Sequence, residues 1–359
     1  MNTRKYWIDN VRTICILLLF PFHAVMIFND LGEKWYINGT GCMAASMFNF
    51  SVYPWWMSGL FVLAGLSTMH ALKRRNIKEY MRERVLKLFV PLIFGLFLIV
   101  PVQNFLADKY HNGYIGNYFA HFSRFFKITD FSGSDGCFSP GHLWFSLYLF
   151  VISMLCIPVF IWHKNKGKHF EGYKLTGWKL IILGIIPPLI EPLGSIGGKS
   201  VTEFLGWFLI GYFVMSMEEV QIWIKKYYII WLAISVSVIL SRCICYYIHF
   251  YNEYFWGPTD TILRWFGILA LFALGMRFLD KEYKFTHYFM IGSYPIYLFH
   301  QSYVVIWGYI FVDYFTTVFL NYILIVLLSF ISTIITYEIT RRFSVTRFMF
   351  GIKSTGDKI

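Results

Sequence analysis

Charge is scarce in this 359-residue chain. Asp, Glu, Lys and Arg together supply 14% of the residues and hydrophobic types supply 57%, which excludes an ordinary soluble domain. Six cysteines in so long and apolar a chain exclude a disulfide scaffold. Cys15, Cys156, Cys243 and Cys245 fall in or beside apolar stretches, where small buried thiols are ordinary. Cys42 and Cys137 lie in separate loops, where a pairing stays open if the compartment is oxidising. Acidic residues are the scarcer sign, 20 against 32 basic ones, for a net charge of +12. The excess sits beside apolar runs and no basic, aromatic-interleaved groove accompanies it, so anchoring to anionic lipid accounts for it and nucleic acid is not an expected partner. The first apolar stretch is too long for a signal-peptide core and lacks a small-residue cleavage site, so it is expected to remain as a helix. No helical His/Glu pair at ligand spacing occurs, no metal is expected, and no clear inverted repeat is visible.

What is present is a series of apolar runs, each close to the length needed to cross roughly 30 Å of hydrocarbon. They cover 12–29, 51–72, 84–103, 141–162, 175–192, 203–217, 227–248, 259–278, 285–310 and 318–340. The expected fold is all-α: a polytopic membrane helical bundle of about ten transmembrane helices. Basic residues fall in alternating connections: Arg4 and Lys5; Lys73 to Lys87; Lys164, Lys166 and Lys168; Lys225 and Lys226; Arg277, Lys281 and Lys284; Arg341, Arg342 and Arg347. By the positive-inside rule these connections and both termini are cytoplasmic, in a multi-pass protein of the inner or plasma membrane. A single membrane domain is expected over 1–348, with a short cytoplasmic tail at 349–359. The opposite connections include 30–50 and 104–140, where Asp130, Gly133, Asp135 and Gly136 mark turns. These two are either bland surface loops or a lid or acceptor platform. Pro187, Pro188 and Pro192 are expected to break the fifth run.

Two polar residues stand out inside the first run. Arg12 and His23 are eleven positions apart, so a 3.6-residue period puts them on nearly one face, roughly 16 Å apart along the axis. A titratable ring in such a segment points to a functional interior. The blander readings are an anchoring or Asp9-paired arginine and a structural, hydrogen-bonded histidine. His142 and His300 fall at depths similar to His23 if both termini are inside.

The sequence Asp9-Asn10-Val11-Arg12 with His23 resembles the Arg-x10-His signature of the integral-membrane acyltransferase-3 family. Four further stretches fit in order: Ser58-Gly59-Leu60-Phe61-Val62-Leu63-Ala64-Gly65, the basic run Arg82 to Lys87 with Pro91, Gly141-His142-Leu143-Trp144-Phe145, and Tyr294-Pro295-Ile296-Tyr297-Leu298-Phe299-His300. The resemblance covers nearly the whole chain. It implies transfer of an acyl group, such as acetyl or succinyl, from cytoplasmic acyl-CoA to an extracytoplasmic or lipid-linked acceptor, usually a carbohydrate hydroxyl. Acyl-CoA is then a co-substrate, with no tightly bound cofactor. Several members carry an additional hydrolase-like domain that this chain lacks, so transfer is expected to be completed by the membrane core or by a separate envelope partner.

On that reading Arg12 holds the donor phosphates, since its planar fork suits them, with Asp9 orienting it and Arg82 and Arg84 as further donor-binding candidates. His23 is the expected general base, with an acyl-imidazole route left open. His142 and His300 extend the catalytic constellation as hydrogen-bond donors, and Tyr294 and Trp144 are candidate binding residues beside them. The rival is a secondary transporter or flippase of a glycan or lipid-linked precursor, in which polar groups within membrane helices are equally at home. A nonenzymatic assembly protein is the third reading.

Overall fold

The computed structural model describes residues 4–129, 131–166, 175–196 and 198–352. The turn residue Asp130, the basic Lys168 and the tail from 353 onward lie outside them. Apart from a two-residue antiparallel pairing of Ser195–Ile196 with Lys199–Ser200, the described secondary structure is helical. Hydrocarbon offers no partner to backbone N–H and C=O groups, and a helix satisfies them within itself.

Each of the ten apolar runs coincides with a helix or a broken helix. Long, strongly apolar helices number five among the described residues: Tyr6–Phe28, Ile77–Asn112, Tyr228–Tyr247, Glu253–Phe278 and Val318–Thr340. A sixth is added if Gly141–Leu155 and Ile157–Lys166, bent by 45°, make one span. Met43–Leu72 and Lys284–Phe311 are long, at 30 and 28 residues, but are diluted by Trp, Tyr, Ser and Gly. Helices that face protein need no uniformly apolar surface, and the Lys284–Phe311 helix is buried along much of its length. Trp178–Leu189 and Val201–Val214 are shorter. The prolines act as expected: helix stops at Leu183, resumes only for Ile186–Leu189, and passes into a 3-10 turn at Glu191–Gly194.

The chain divides into two compact units. The first comprises Met1–Cys15, Ser51–Arg84 and Tyr148–His287. Within it the Met43–Leu72 and Val201–Leu209 helices approach backbone to backbone. A Cβ on Gly65 would land on the Phe208 carbonyl oxygen, and one on Gly211 on the Val62 carbonyl oxygen. The turn Ile210–Val214 is π-helical at this crossing, a widened turn of the kind that often marks a local constraint. An ion network ties three helices of the same unit. Arg264 pairs with Asp260 at 2.7 Å and with Glu203, while Arg242 reaches Asp260 at 3.1 Å. These charges lie inside the sixth, seventh and eighth runs and carry no sequence signature.

The second unit comprises Ile16–Phe50, Val85–Leu147 and Tyr288–Ile359. Its apolar core gathers Ala24, Ile27, Phe28, Ile37, Val304, Val305 and Ile325. Gly133 and Gly136 adopt the positive φ expected of turn glycines, at 76° and 83°. The 104–140 connection is pinned by the buried Asp108, which accepts from Arg124 and from Asn112 at 2.8 Å and faces His121 Nε2 at 3.3 Å. All six cysteines are free thiols, so Cys42 and Cys137 do not pair.

Two outcomes follow from this packing. Gly65→Val forces the helix crossing apart and lowers stability by about 1–3 kcal/mol, the usual range for overpacking, read as a lower melting temperature in detergent. Burial pushes the His121 imidazole below its usual range, against the pull of Asp108. Its folded pKa therefore lies below the unfolded value of about 6.5, so the unfolded chain binds more protons and stability falls as pH drops through that value. Protection factors across 104–140, with hydrogen exchange corrected for its intrinsic pH dependence, should fall from pH 7 to pH 5 in the parent and change less in His121→Gln.

Candidate active site

His23 is carried by the Leu19–Phe28 helix, which follows a break at Leu18. His142 lies in the 3-10 turn Gly141–Leu143, and His300 on the Lys284–Phe311 helix. All three belong to the second unit, and the fold brings them together: ring centroids are 4.9 Å apart for His23 and His300, and 5.0 Å for His142 and His300. Gly141 makes the approach of His142 possible. Its φ is +52°, and a Cβ there would crowd Tyr36 OH at 3.2 Å and Gln103 Oε1 at 3.3 Å.

The three rings differ in how they are held. His142 Nε2 is 2.9 Å from the Leu298 carbonyl, which accepts only, so this nitrogen carries the proton. His142 Nδ1 then faces the side-chain amide of Gln103 at 3.4 Å, and both ring nitrogens have protein partners. His300 Nδ1 lies 2.6 Å from the Tyr297 carbonyl and must donate to it. That leaves His300 Nε2 as a lone-pair acceptor, fully buried and without a hydrogen-bond partner among the described residues. The buried Nδ1 of His23 is likewise unpartnered, and its ring makes no side-chain hydrogen bond among the described residues. Aromatic rings of Phe22 and Trp35 lie 5.6 Å and 6.2 Å from it.

Around the rings is a polar network that sequence reading missed. Gln103 donates to Ser302 Oγ at 2.8 Å and accepts from Gln301 Nε2 at 2.9 Å, and Ser302 Oγ donates to the Ile99 carbonyl at 3.1 Å. The available signal was Gln103, Gln301 and Ser302 standing as polar residues within membrane-length segments. Tyr297 OH donates to the His142 carbonyl at 2.6 Å. Tyr294 OH donates to the Leu88 carbonyl at 3.2 Å and accepts from Ser146 Oγ at 2.6 Å. Tyr294 thus joins the histidines through Tyr297, whose ring is 5.8 Å away. Trp144 packs against Phe145 at 6.3 Å.

The other predicted residues fall in the first unit. Arg12 pairs with Asp9 at 3.1 Å and donates to Ser67 Oγ at 2.7 Å. Arg84 donates to Thr68 Oγ1 at 2.8 Å and lies over the Tyr80 ring. Two arginines distant in sequence are thereby held by adjacent hydroxyls of one helix, and both Ser67 and Thr68 were missed. Arg82 is exposed on the Ile77–Arg84 helix, apart from this pairing. Among the described residues no group of three or more His, Cys, Asp or Glu is placed to hold a metal ion.

The match to a family model places this multi-pass helical protein in a class, the membrane O-acyltransferases. The acyltransferase domain of the acyltransferase-3 family matches residues 5–338, and the chain belongs to that family. It is similar to the glucans biosynthesis protein C of Shigella dysenteriae serotype 1 and to that of Escherichia coli strain K12. Each is 22% identical over 390 residues, covering 99% of this chain and 97% of the relative. No solved structure matches the chain.

Gln103 offers a direct check on the network. Gln103→Leu strands the Gln301 amide and His142 Nδ1 in a buried site, and each stranded polar group costs about 1–3 kcal/mol. The variant should melt measurably earlier than the parent in detergent.

Proposed function

We propose that this enzyme transfers an acyl group from cytoplasmic acyl-CoA to a hydroxyl of an extracytoplasmic or lipid-linked carbohydrate. The observation that carries the proposal is the pair of adjacent imidazoles, His23 and His300, each with a buried nitrogen that has no partner among the described residues. Buried polar groups are normally satisfied, and an exception at bilayer depth suits a site that a hydroxyl and a thioester fill. The carbohydrate class is supported by similarity to relatives named for glucan biosynthesis.

In this mechanism the acceptor oxygen attacks the thioester carbonyl while His23 takes the hydroxyl proton. The Nε2 lone pair of His300 beside it accepts a hydrogen bond from the His23 imidazolium that forms. Collapse of the tetrahedral intermediate breaks the C–S bond, and the proton passes to the departing CoA thiolate. The products are an ester and free CoA. His142, with both nitrogens engaged, is a positioning residue that fixes the Tyr297–Leu298 turn beneath His300. Tyr294 and Trp144 line this side.

Arg12, aligned by Asp9 and Ser67, holds donor phosphates, with Arg84 on Thr68 and the exposed Arg82 as further cationic contacts. The one Tyr6–Phe28 segment then carries both the donor anchor and the base. In the membrane arrangement that suits this chemistry, all ten apolar runs cross the inner or plasma membrane and both termini are cytoplasmic. The alternation of basic connections supports it. Membrane lipids and a separate envelope partner complete the setting.

The test is acyl transfer in proteoliposomes supplied with acetyl- or succinyl-CoA and a cell-envelope glycan extract, following free CoA and label on the glycan. His23→Ala should lower kcat by about 10²–10⁴-fold with folding intact, the range for loss of a general base. Arg12→Ala should chiefly raise the KM for acyl-CoA. Full transfer retained by His23→Ala would remove the base from the mechanism, and glycan movement without CoA release would favour a transporter.

A further inference from the structure

One aromatic side chain beside His23 has no part in the reaction just described. Trp35 lies in the 30–50 connection, and its backbone is fixed from two directions. Its N–H donates to Asn38 Oδ1 at 3.1 Å, and its carbonyl accepts from His111 Nε2 at 2.7 Å. Asn38 is itself held by the hydroxyl of Tyr110, which donates to its carbonyl. The next residue, Tyr36, is buried and sets its ring edgewise to Trp35 at 5.3 Å. The peptide at Trp35 is therefore rigid, whereas its side chain is only partly buried. The indole N–H donates to no group among the described residues. Glu33 and Lys34, just before it, are exposed.

A rigidly held, partly exposed indole, packed against the apolar core and with its ring centroid 6.2 Å from that of His23, offers aromatic surface and an N–H donor to what it takes. A sugar ring offers a C–H face that stacks on the indole, a hydroxyl that accepts from its N–H, and a second hydroxyl for the base. An acyl chain would cover the ring but leave the N–H without an acceptor, and the exposed Glu33 and Lys34 just before it favour a hydrated ligand. We infer that Trp35 is the stacking platform that seats the sugar ring of the acceptor against His23, an assignment that rests on the proposed acyl transfer to carbohydrate. Trp35 is thus a specificity-determining residue of the acceptor side.

The experiment compares the full-length parent with Trp35→Phe and Trp35→Ala, using a glucose oligomer as acceptor and acetyl-CoA as donor. Trp35→Ala should raise the acceptor KM about tenfold, the worth of one aromatic stacking contact, with Trp35→Phe in between. The KM for acetyl-CoA and the melting temperature in detergent should be unchanged, and the latter reports that the variant is folded. A shift in donor KM or in acyl-length preference with acceptor KM unmoved would assign the indole to the acyl group and overturn the inference. Unchanged constants throughout would reduce Trp35 to packing. Saturation-transfer NMR of the glucose oligomer on donor-free protein separates this inference from the proposed reaction, since it needs no turnover. Ring-proton saturation lost in Trp35→Ala supports the platform even if His23→Ala retains transfer, and saturation that is absent from the parent or retained in Trp35→Ala overturns it.

Discussion

The need to partner backbone polar groups within an apolar interior is the constraint on which the rest of this structure depends. It makes the chain helical, because a helix closes its own backbone bonds. It also governs the side chains. His142 is clamped by a backbone carbonyl on one nitrogen and an amide on the other, and Gln103 spends its amide on Ser302, Gln301 and that same ring. Of the buried side-chain atoms that lack a partner among the described residues, Nδ1 of His23 and Nε2 of His300 are the two that belong to adjacent rings beside this clamped histidine. The hydrogen bonds around His142, Gln103 and Ser302 hold these groups in fixed positions, the kind of preorganisation that catalysis by fixed dipoles uses.

The same constraint shapes the polar groups of the first unit. Arg242, Arg264, Asp260 and Glu203 lie where isolated charges are costly, and each is matched by an opposite charge. Arg12 is different in kind. It pairs with Asp9 and a serine hydroxyl but stays partly exposed, and its guanidinium carries more N–H donors than these two contacts use. Small residues have a comparable division of labour. Gly65 and Gly211 admit a backbone crossing that no side chain could share, whereas Gly141 supplies a left-handed turn that carries His142 to its neighbours. Among neighbouring glycines and histidines, packing and chemistry are thus kept by different residues.

Much of this was legible from residue order. Ten apolar runs named the helical segments, because hydrophobic length is a local property read within one window. Pro187 and Pro188 broke their helix, since a missing N–H is equally local. Gly133 and Gly136 turned as their residue type requires. The Arg-x10-His spacing marked the first helix, and the three histidines singled out by sequence do converge. Less legible was how apolar each helix had to be: Lys284–Phe311 is buried by its neighbours and admits Tyr, Ser, His and Gln without losing its place.

What the sequence by itself determined is therefore the class of fold, the positions of its helices, and which few polar residues stand inside apolar runs. Only the tertiary structure decided which of those residues are spent and which are free. Gln103 meets Ser302 across 199 positions, Arg12 meets Ser67 across 55, and Trp35 meets His111 across 76. The pairing of a buried donor with its acceptor is fixed by helix packing and loop closure, which no local pattern encodes. Two imidazoles identical in composition to a third became the candidate reactive pair because packing gave the third ring partners on both nitrogens and left each of them with one unpartnered.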